Sequence, residues 1–413
     1  MTLPQPPKKI LGMRFKFEPY FKDFREASLD NRHTLHRRTT ARKEDLKAQG
    51  NAPQTPCRCV EDEGVKFARR SVERLWVNWN FTTHKENAVQ IVGLDIGYSN
   101  LKVAFGEDGK EPALVSRPAG AAPSEHIGQR IMPAGADEPL RVLVDGKEYV
   151  AGCSHDRLEN WARELHKDYT STDSYRALFN AGLLLSGMTE IDRVVTGLPT
   201  SQYFDDGLRK HLAKTMKGEH QVTPKKKIIV KDVKIVPQPL GGFVDYLNHL
   251  EDPSEIEDAS VLVIDPGFFS VDWVLLVNGE FKRGSSGTSL DATSVILDEA
   301  SALIGKDYGS GPGRSKMENA VRSGRNTVSV HGTRVDIAPY LAAASATVGH
   351  IVSSQLQASL RKEESAVDAI VMVGGGAPLF QAAIKEAFDK TPLTISESSV
   401  FANARGFWHG GAA

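Results

Sequence analysis

Two stretches, Val89 to Lys102 (VQIVGLDIGYSNLK) and Ser260 to Asn278 (SVLVIDPGFFSVDWVLLVN), constrain this chain more than any others. In the first, a nearly unbroken apolar run reads as one buried strand ending on a carboxylate. It delivers Asp95 and Gly97 to a tight turn, and a second strand, Leu101 to Phe105, leaves that turn with Lys102 near its start. Burying Asp95 at the end of such a run costs on the order of several kcal/mol unless a cation or polar ligand meets it. Phosphate with a metal answers that need: Gly97 lets backbone N–H groups approach, Ser99 and Asn100 donate, Lys102 adds a point charge, and Asp95 holds the metal's water shell. Alone, a D-x-G between strands is more often an ordinary hairpin. The second stretch repeats the arrangement 170 residues later, as apolar strand, Asp265-x-Gly267, the hydroxyl of Ser270 and apolar strand. Two such hairpins imply a duplicated βαβ architecture with a nucleotide clamped between the halves.

A chain of 413 residues is long enough for two domains with their own cores, and its 40% hydrophobic and 25% charged residues are those of an ordinary globular protein. The net charge of −1 gives no whole-chain reason to expect nucleic acid, but it hides an asymmetry. Residues 1–88 hold 18 Lys/Arg against 11 Asp/Glu, leaving 33 against 41 in residues 89–413. Any basic partner surface therefore lies in the first segment. No apolar run approaches the roughly 18 residues that span a bilayer, and MTLPQPPKKILGMRF lacks the apolar stretch of a secretory signal. Cys57, Cys59 and Cys153 form neither a disulfide framework nor a four-ligand zinc pattern, so a reducing cytoplasm is the simplest compartment.

Residues 1–88 read as a basic N-terminal extension expected to be poorly ordered, without the sustained periodicity of a core. A basic arm on DNA or a filament neighbour, and an upstream translation start outside the working protein, are the other readings. The arm is disfavoured because Trp76 and Trp79 are not interleaved with the basic residues as stacking platforms would be. Beyond Val89, a third strand is expected at Ala113–Arg117, then a Gly/Pro/Ala-rich loop to Pro139 and a hairpin turning on Asp145-Gly146. A helix at Ser174–Leu185 with a cap among Ser171, Thr172 and Asp173 precedes a strand at Arg193–Thr196, then a helix from Thr200 or Ser201 to about Lys217. The strand IIVKDVKIV runs into Pro237, and Leu240–Leu250 is helical. In the second half, Asn278-Gly279 turns a hairpin, Leu290–Ile304 is a helix, and Gly305–Gly313 is a connector. Ser315–Ser323 with a hairpin at 326–337 forms an outer subdomain, Pro339 to about Arg361 is a long helix, and a buried strand enters Gly374, Gly375 and Gly376 before a helix at Ala377-Pro378.

DIGYSNLK is similar to the first phosphate loop of the actin superfamily, and its D-x-G-x-(S/T)-N-x-K form resembles the plasmid-segregation ATPases called ParM or StbA. Further matches follow in the superfamily's order: VVTGLP at 194–199, PQPLGG at 237–242, the Asp265 loop, VMVGGGAPL at 371–379 and FANARGFW at 401–408. The combination of IDPGFFSVDW with the FANARGF ending is most similar to a ParM-like subgroup of plasmid-type operons, protein D of the PRTRC system. The resemblance covers about residues 89–408 and implies an α/β chain with the actin-like ATPase fold, two duplicated α/β domains around a nucleotide cleft. The domains would be 89–252, with 395–413 packing back on it, and 253–394.

The resemblance implies a site for Mg-ATP. Asp95 and Asp265 would bind Mg2+ through water, Gly97, Ser99, Asn100, Lys102, Gly267 and Ser270 the phosphates, and Gly374–Gly376 the adenosine. Gln238 would orient the attacking water, with an amide capping its helix as the alternative reading. Phe268 and Phe269 stand where a second glycine and a hydroxyl residue are usual, so their bulk must point away from phosphate. The implied partners are further copies of the chain in a filament and a centromere-binding adaptor, with DNA contacted indirectly and no membrane. Two other function classes compete. One is a small-molecule kinase on the same fold, against which no acidic loop in 195–245 stands out, Asp205 and Asp206 falling inside an expected helix. The other is a non-catalytic nucleotide sensor that binds DNA through residues 1–88.

Overall fold

The computed structural model describes residues 88–129, 138–166, 168–250, 256, 258–363 and 366–412; the basic extension, with Cys57 and Cys59, lies outside them. In the first half, β1 (Gln90–Ile96) and β2 (Asn100–Glu107) form the expected hairpin, followed by β3 (Ala113–Pro118). The segment read as a Gly/Pro/Ala loop instead contains β4 (Gly120–Pro123), which pairs with β6 (Lys147–Cys153), itself the hairpin partner of β5 (Leu140–Val144). Small residues make that strand: a Cβ on Gly120 would lie 2.3 Å from the Cys153 carbonyl, so the backbone approaches where a side chain would keep it away. Asp145 and Gly146, both at positive φ, turn the β5–β6 hairpin.

Helix α1 (Asp173–Ser186) starts where the Thr172 hydroxyl accepts from the Tyr175 N–H and ends at left-handed Gly187. It leads to β7 (Glu190–Leu198), parallel to β1. The single helix expected from Thr200 to Lys217 is two: α2 (Thr200–Tyr203) stops, and Asp205 caps α3 (Asp206–Met216) by accepting from the Leu208 N–H. Asp205 is thus a cap and not an interior helix residue. Strands β8 (Gly218–Thr223) and β9 (Lys226–Pro237) and helix α4 (Gln238–His249) complete a sheet ordered β3-β2-β1-β7-β9-β8.

The second half repeats the plan. Strands β10 (Ser260–Pro266) and β11 (Val271–Val277) form the second hairpin, β12 (Glu280–Phe281) and β13 (Gly287–Ser289) pair with β11, and α5 (Thr293–Tyr308) follows. Helix α5 runs through Gly305 and is capped by left-handed Gly309, so the connector begins four residues later than its glycines suggest; Gly305 serves instead as the place where Gly311 approaches, a Cβ there lying 3.0 Å from its amide. Helix α6 (Arg314–Arg322), the hairpin of β14 (Thr327–Val330) and β15 (Thr333–Asp336), and α7 (Ala338–Leu360) precede β16 (Ala369–Met372), parallel to β10. Last come α8 (Ala377–Ala387), the unanticipated strand β17 (Leu393–Ile395), and α9 (Ala402–Ala412), giving a sheet ordered β12-β11-β10-β16-β17.

An apolar cluster binds the halves at one side. Val195, Val236, Phe243, Val261, Val371 and Phe407 come from both sheets and from α4 and α9, burying hydrocarbon that neither half could bury alone. Helix α9 reaches this position because its ending FANARGF is small where it must touch backbone. A Cβ on Gly406 would lie 1.7 Å from the Gly241 carbonyl, and one on Gly93 of β1 would lie 2.2 Å from that of Ala404. Arg405 fixes the seat by a bidentate ion pair with Asp245, both contacts 2.7 Å, where Asp245 is fully buried on α4. No described helix is long and apolar enough to cross a membrane.

Candidate functional site

The two hairpin turns have the same hydrogen bond: Gly97 N–H donates to the Asn100 carbonyl at 3.0 Å, and Gly267 N–H to that of Ser270 at 2.8 Å. Each follows an aspartate at a strand end, and the registers correspond, Asp95 lying opposite Lys102 and Asp265 opposite Asp272. Lys102 Nζ meets Asp95 Oδ2 at 2.7 Å, and Gln238 Nε2, at the start of α4, reaches Asp95 Oδ1 at 3.3 Å. The residue that caps this helix is Pro237, which has no side-chain hydrogen bond to give it. Asp265 Oδ2 accepts from Asn403 Nδ2 of α9 at 2.7 Å. The glycine run after β16 lies against the same carboxylate: a Cβ on Gly374, whose φ is +76°, would lie 2.0 Å from Asp265 Oδ1, and one on Gly376 would lie 2.5 Å from the Pro266 carbonyl. Gly375, by contrast, is exposed, beside Val400.

The charge of Asp95 acts on Asp265. Burial, then the Asp95 charge, pushes the Asp265 carboxyl up to about 7, while Lys102 and the Asn403 hydrogen bond pull the other way. Burial works to lower Lys102, but the Asp95 charge and hydrogen bond, with Asp265 adding, hold it above its ordinary value. Asp272 is raised by burial and relieved by Ser270, Thr288 and the Thr200 N–H, its three donors at 2.6–2.7 Å. Asp95 and Asp265 thus share the Lys102 ammonium, and Asp272 is met by neutral donors alone. That donor set fits a hydrated Mg2+, which takes one or two carboxylates and completes its shell with water and phosphate oxygens. Among the described residues no three His, Cys, Asp or Glu side chains converge as a metal cage.

Not every expected phosphate donor points at open space. The Ser270 hydroxyl gives its proton to Asp272. The Ser99 hydroxyl donates to Glu318 of α6 at 2.5 Å, and Asn100 Nδ2 turns to Ser99 at 3.4 Å. Phe268 and Phe269 do turn aside. Phe268 lies under the Arg163 guanidinium, 3.8 Å from the ring centre, and Phe269 packs on Tyr98, ring centres 4.5 Å apart. Sequence reasoning gave no role to Asn403, Asp272, Arg163 or Glu318. Asp272, two residues after Ser270 in a buried strand, and Asn403, within FANARGFW, carried a signal as polar groups in apolar surroundings; Arg163 and Glu318 carried none.

Residues 93–241 match the family described as actin-like proteins, N-terminal domain, and residues 263–386 match the archaeal actin homologue MreB-like C-terminal domain. The chain is an actin-like protein. Among solved structures, the archaeal actin homolog Ta0583 superposes with a TM-score of 0.61 at 21% identity, over 78% of this chain and 99% of that one. A subunit of a 15-stranded ParM filament from Clostridium botulinum gives 0.61 at 17% identity, over 79% and 100%. A non-polymerisable quadruple mutant of pCBH ParM gives 0.59 at 18% identity, over 78% and 98%. Comparison with curated proteins finds no match. These likenesses establish that the actin-like protein has the actin-like fold over its described halves.

Proposed function

We propose that this actin-like protein binds Mg-ATP between its halves, hydrolyses it, and assembles with itself into dynamic filaments that segregate plasmid DNA through a centromere-binding adaptor in the cytoplasm. The observation that carries the reading is the meeting of two aspartate-tipped hairpins and one glycine-lined strand end at a single buried, net-negative site. A solved relative of the same fold, Ta0583, is a complex with ADP, matched at a TM-score of 0.59 and 20% identity.

In this reading Asp95 and Asp265 would hold Mg2+ through water, and the bare backbone of Gly97 and Gly267 would admit phosphate oxygens. Lys102, 2.7 Å from Asp95, would lend its positive charge to the phosphates. Gln238 orients the water that attacks; its amide cannot accept the proton, so hydrolysis is slow. Gly374–Gly376 receive the adenosine. Bound metal supplies charge neutralisation at the phosphoryl group, and the chain supplies position.

Sedimentation of the purified protein with ATP, with ADP and with neither, alongside phosphate release, tests this. Pelleting and phosphate release with Mg-ATP alone support it. A protein that stays in the supernatant and releases no phosphate refutes it, and transfer only when an acceptor is added favours a kinase on the same fold.

A further inference from the structure

The connections between the halves differ in chemistry from place to place. The α4/α9 side is an apolar cluster that water would penalise on opening. Around Ser99 and Tyr98, a charged cluster over an aromatic stack joins the halves instead. Glu318 of α6 takes Arg163 Nη1 on Oε2 at 2.6 Å and the Ser99 hydroxyl on Oε1 at 2.5 Å, with side-chain exposures of 10% for Glu318 and 13% for Arg163. Arg163 also donates to the Tyr98 carbonyl at 2.5 Å. One residue on, Asn319 binds Asp156 at 3.0 Å, and Arg322 binds Ser154 at 3.0 Å. Beneath them Phe269 packs on Tyr98, which stacks in turn on Tyr169. A guanidinium can trade one anion for another and stay neutralised, an exchange that an apolar core does not offer.

We infer that Glu318 is a built-in competitor for the first phosphate loop: its carboxylate, carried in from the second half, occupies the Ser99 hydroxyl and latches the mouth shut until a phosphate displaces it. The inference rests on the proposed nucleotide site and names its regulation. Ser99 has one proton to donate, so it serves either the carboxylate or a phosphate oxygen. Burial would raise the Glu318 carboxyl, but Arg163 outweighs it and, with Ser99, holds it below its ordinary value, so the competitor is an anion like the ligand it excludes. Displacing Glu318 also frees Arg163, whose guanidinium then stands beside the incoming phosphate.

The test uses the full chain with Glu318→Gln and, as an independent variant, Arg163→Met. Two readouts are taken: amide hydrogen exchange at residues 98–100 and 314–322 without nucleotide, and the association rate of a fluorescent ATP analogue with Mg2+. Both variants are expected to lose exchange protection at both segments and to take up the analogue about tenfold faster, the loss of one charge-assisted contact. Unchanged exchange and unchanged association in both overturn the latch. If neither wild type nor variants bind the analogue, the nucleotide reading fails, and hydrogen exchange alone still decides whether Glu318 fastens the mouth.

Discussion

Asp265→Asn should stabilise the protein and abolish the proposed hydrolysis at once. The carboxyl is buried, 6% exposed, and sits at about 7 against 3.8 for a free aspartate, because burial and then Asp95 oppose its charge. Its folded value lies above its unfolded value, so the penalty is absent well below pH 3.8, grows as pH rises between the two values and is complete above pH 7. Three pH units at 1.36 kcal/mol each make it about 4 kcal/mol at pH 8 and less than half of that at pH 5. Asparagine removes the charge, keeps the shape and can still accept from Asn403. Urea unfolding of metal-free and nucleotide-free protein should therefore show the variant more stable by about 4 kcal/mol at pH 8, with the gap shrinking toward pH 5. On the proposed mechanism, in which Asp265 would hold the cation, phosphate release should fall by about a hundredfold or more. A variant that is less stable than wild type at pH 8, or that hydrolyses ATP at the wild-type rate, refutes the reasoning: the first would mean that the carboxylate is not strained, the second that the strain has no purpose.

Three further outcomes follow from the packing. Gly406→Ala puts a methyl 1.7 Å from the Gly241 carbonyl, with only backbone to yield, so α9 must lift from α4 and chemical denaturation should show a loss of about 3 kcal/mol. Arg405→Met strands the fully buried Asp245 without its guanidinium and should cost about 3–5 kcal/mol in the same assay, part of it recovered by adding Asp245→Asn. His155 is held near 4, by burial first and Arg163 second, below its ordinary 6.5, so its contribution is complete above pH 6.5 and is lost as pH falls toward 4; His155→Gln should flatten the stability profile in that window by about 3 kcal/mol.

What could be read from the sequence was what a local run of residues dictates. An apolar run closed by Asp-x-Gly specifies a buried strand and a turn whatever surrounds it, and Asp145-Gly146 and Asn278-Gly279 adopt the left-handed angles that such pairs favour. Where tertiary contact overrules local preference, the reading failed. Gly120, Ala121 and Ala122 have poor strand propensity and form β4 only because β6 lies close enough to pair with them. Gly305, a helix stop by composition, stays helical because Gly311 packs against its bare Cα. The contact of Arg163 with Glu318 spans 155 residues, and no periodicity encodes a separation of that length.

The duplication itself conceals the asymmetry on which the proposed chemistry turns. Each hairpin presents an aspartate, a glycine turn and a polar residue in register opposite the aspartate, but that opposite residue is Lys102 in the first half and Asp272 in the second. The first hairpin is therefore internally neutralised, its carboxylate and ammonium 2.7 Å apart, whereas the second offers two buried carboxylates and no cation of its own. A metal–phosphate ligand carries both signs, and the two halves divide them: the phosphate is drawn to the side with the ammonium and the bare Gly97 turn, the cation to the side of Asp265. A symmetric site of two second hairpins would repel the phosphate, and one of two first hairpins would offer the cation no uncompensated carboxylate. On this argument Asp272→Lys, which makes the second half imitate the first, should neutralise Asp265 and weaken Mg2+ binding more than Asp95→Asn does, at a cost in stability because Ser270, Thr288 and the Thr200 N–H lose their acceptor, and isothermal titration of Mg2+ in the presence of ADP would read the order directly. Equal effects of the two substitutions would mean that the halves share the cation evenly and that the charge difference between them is incidental.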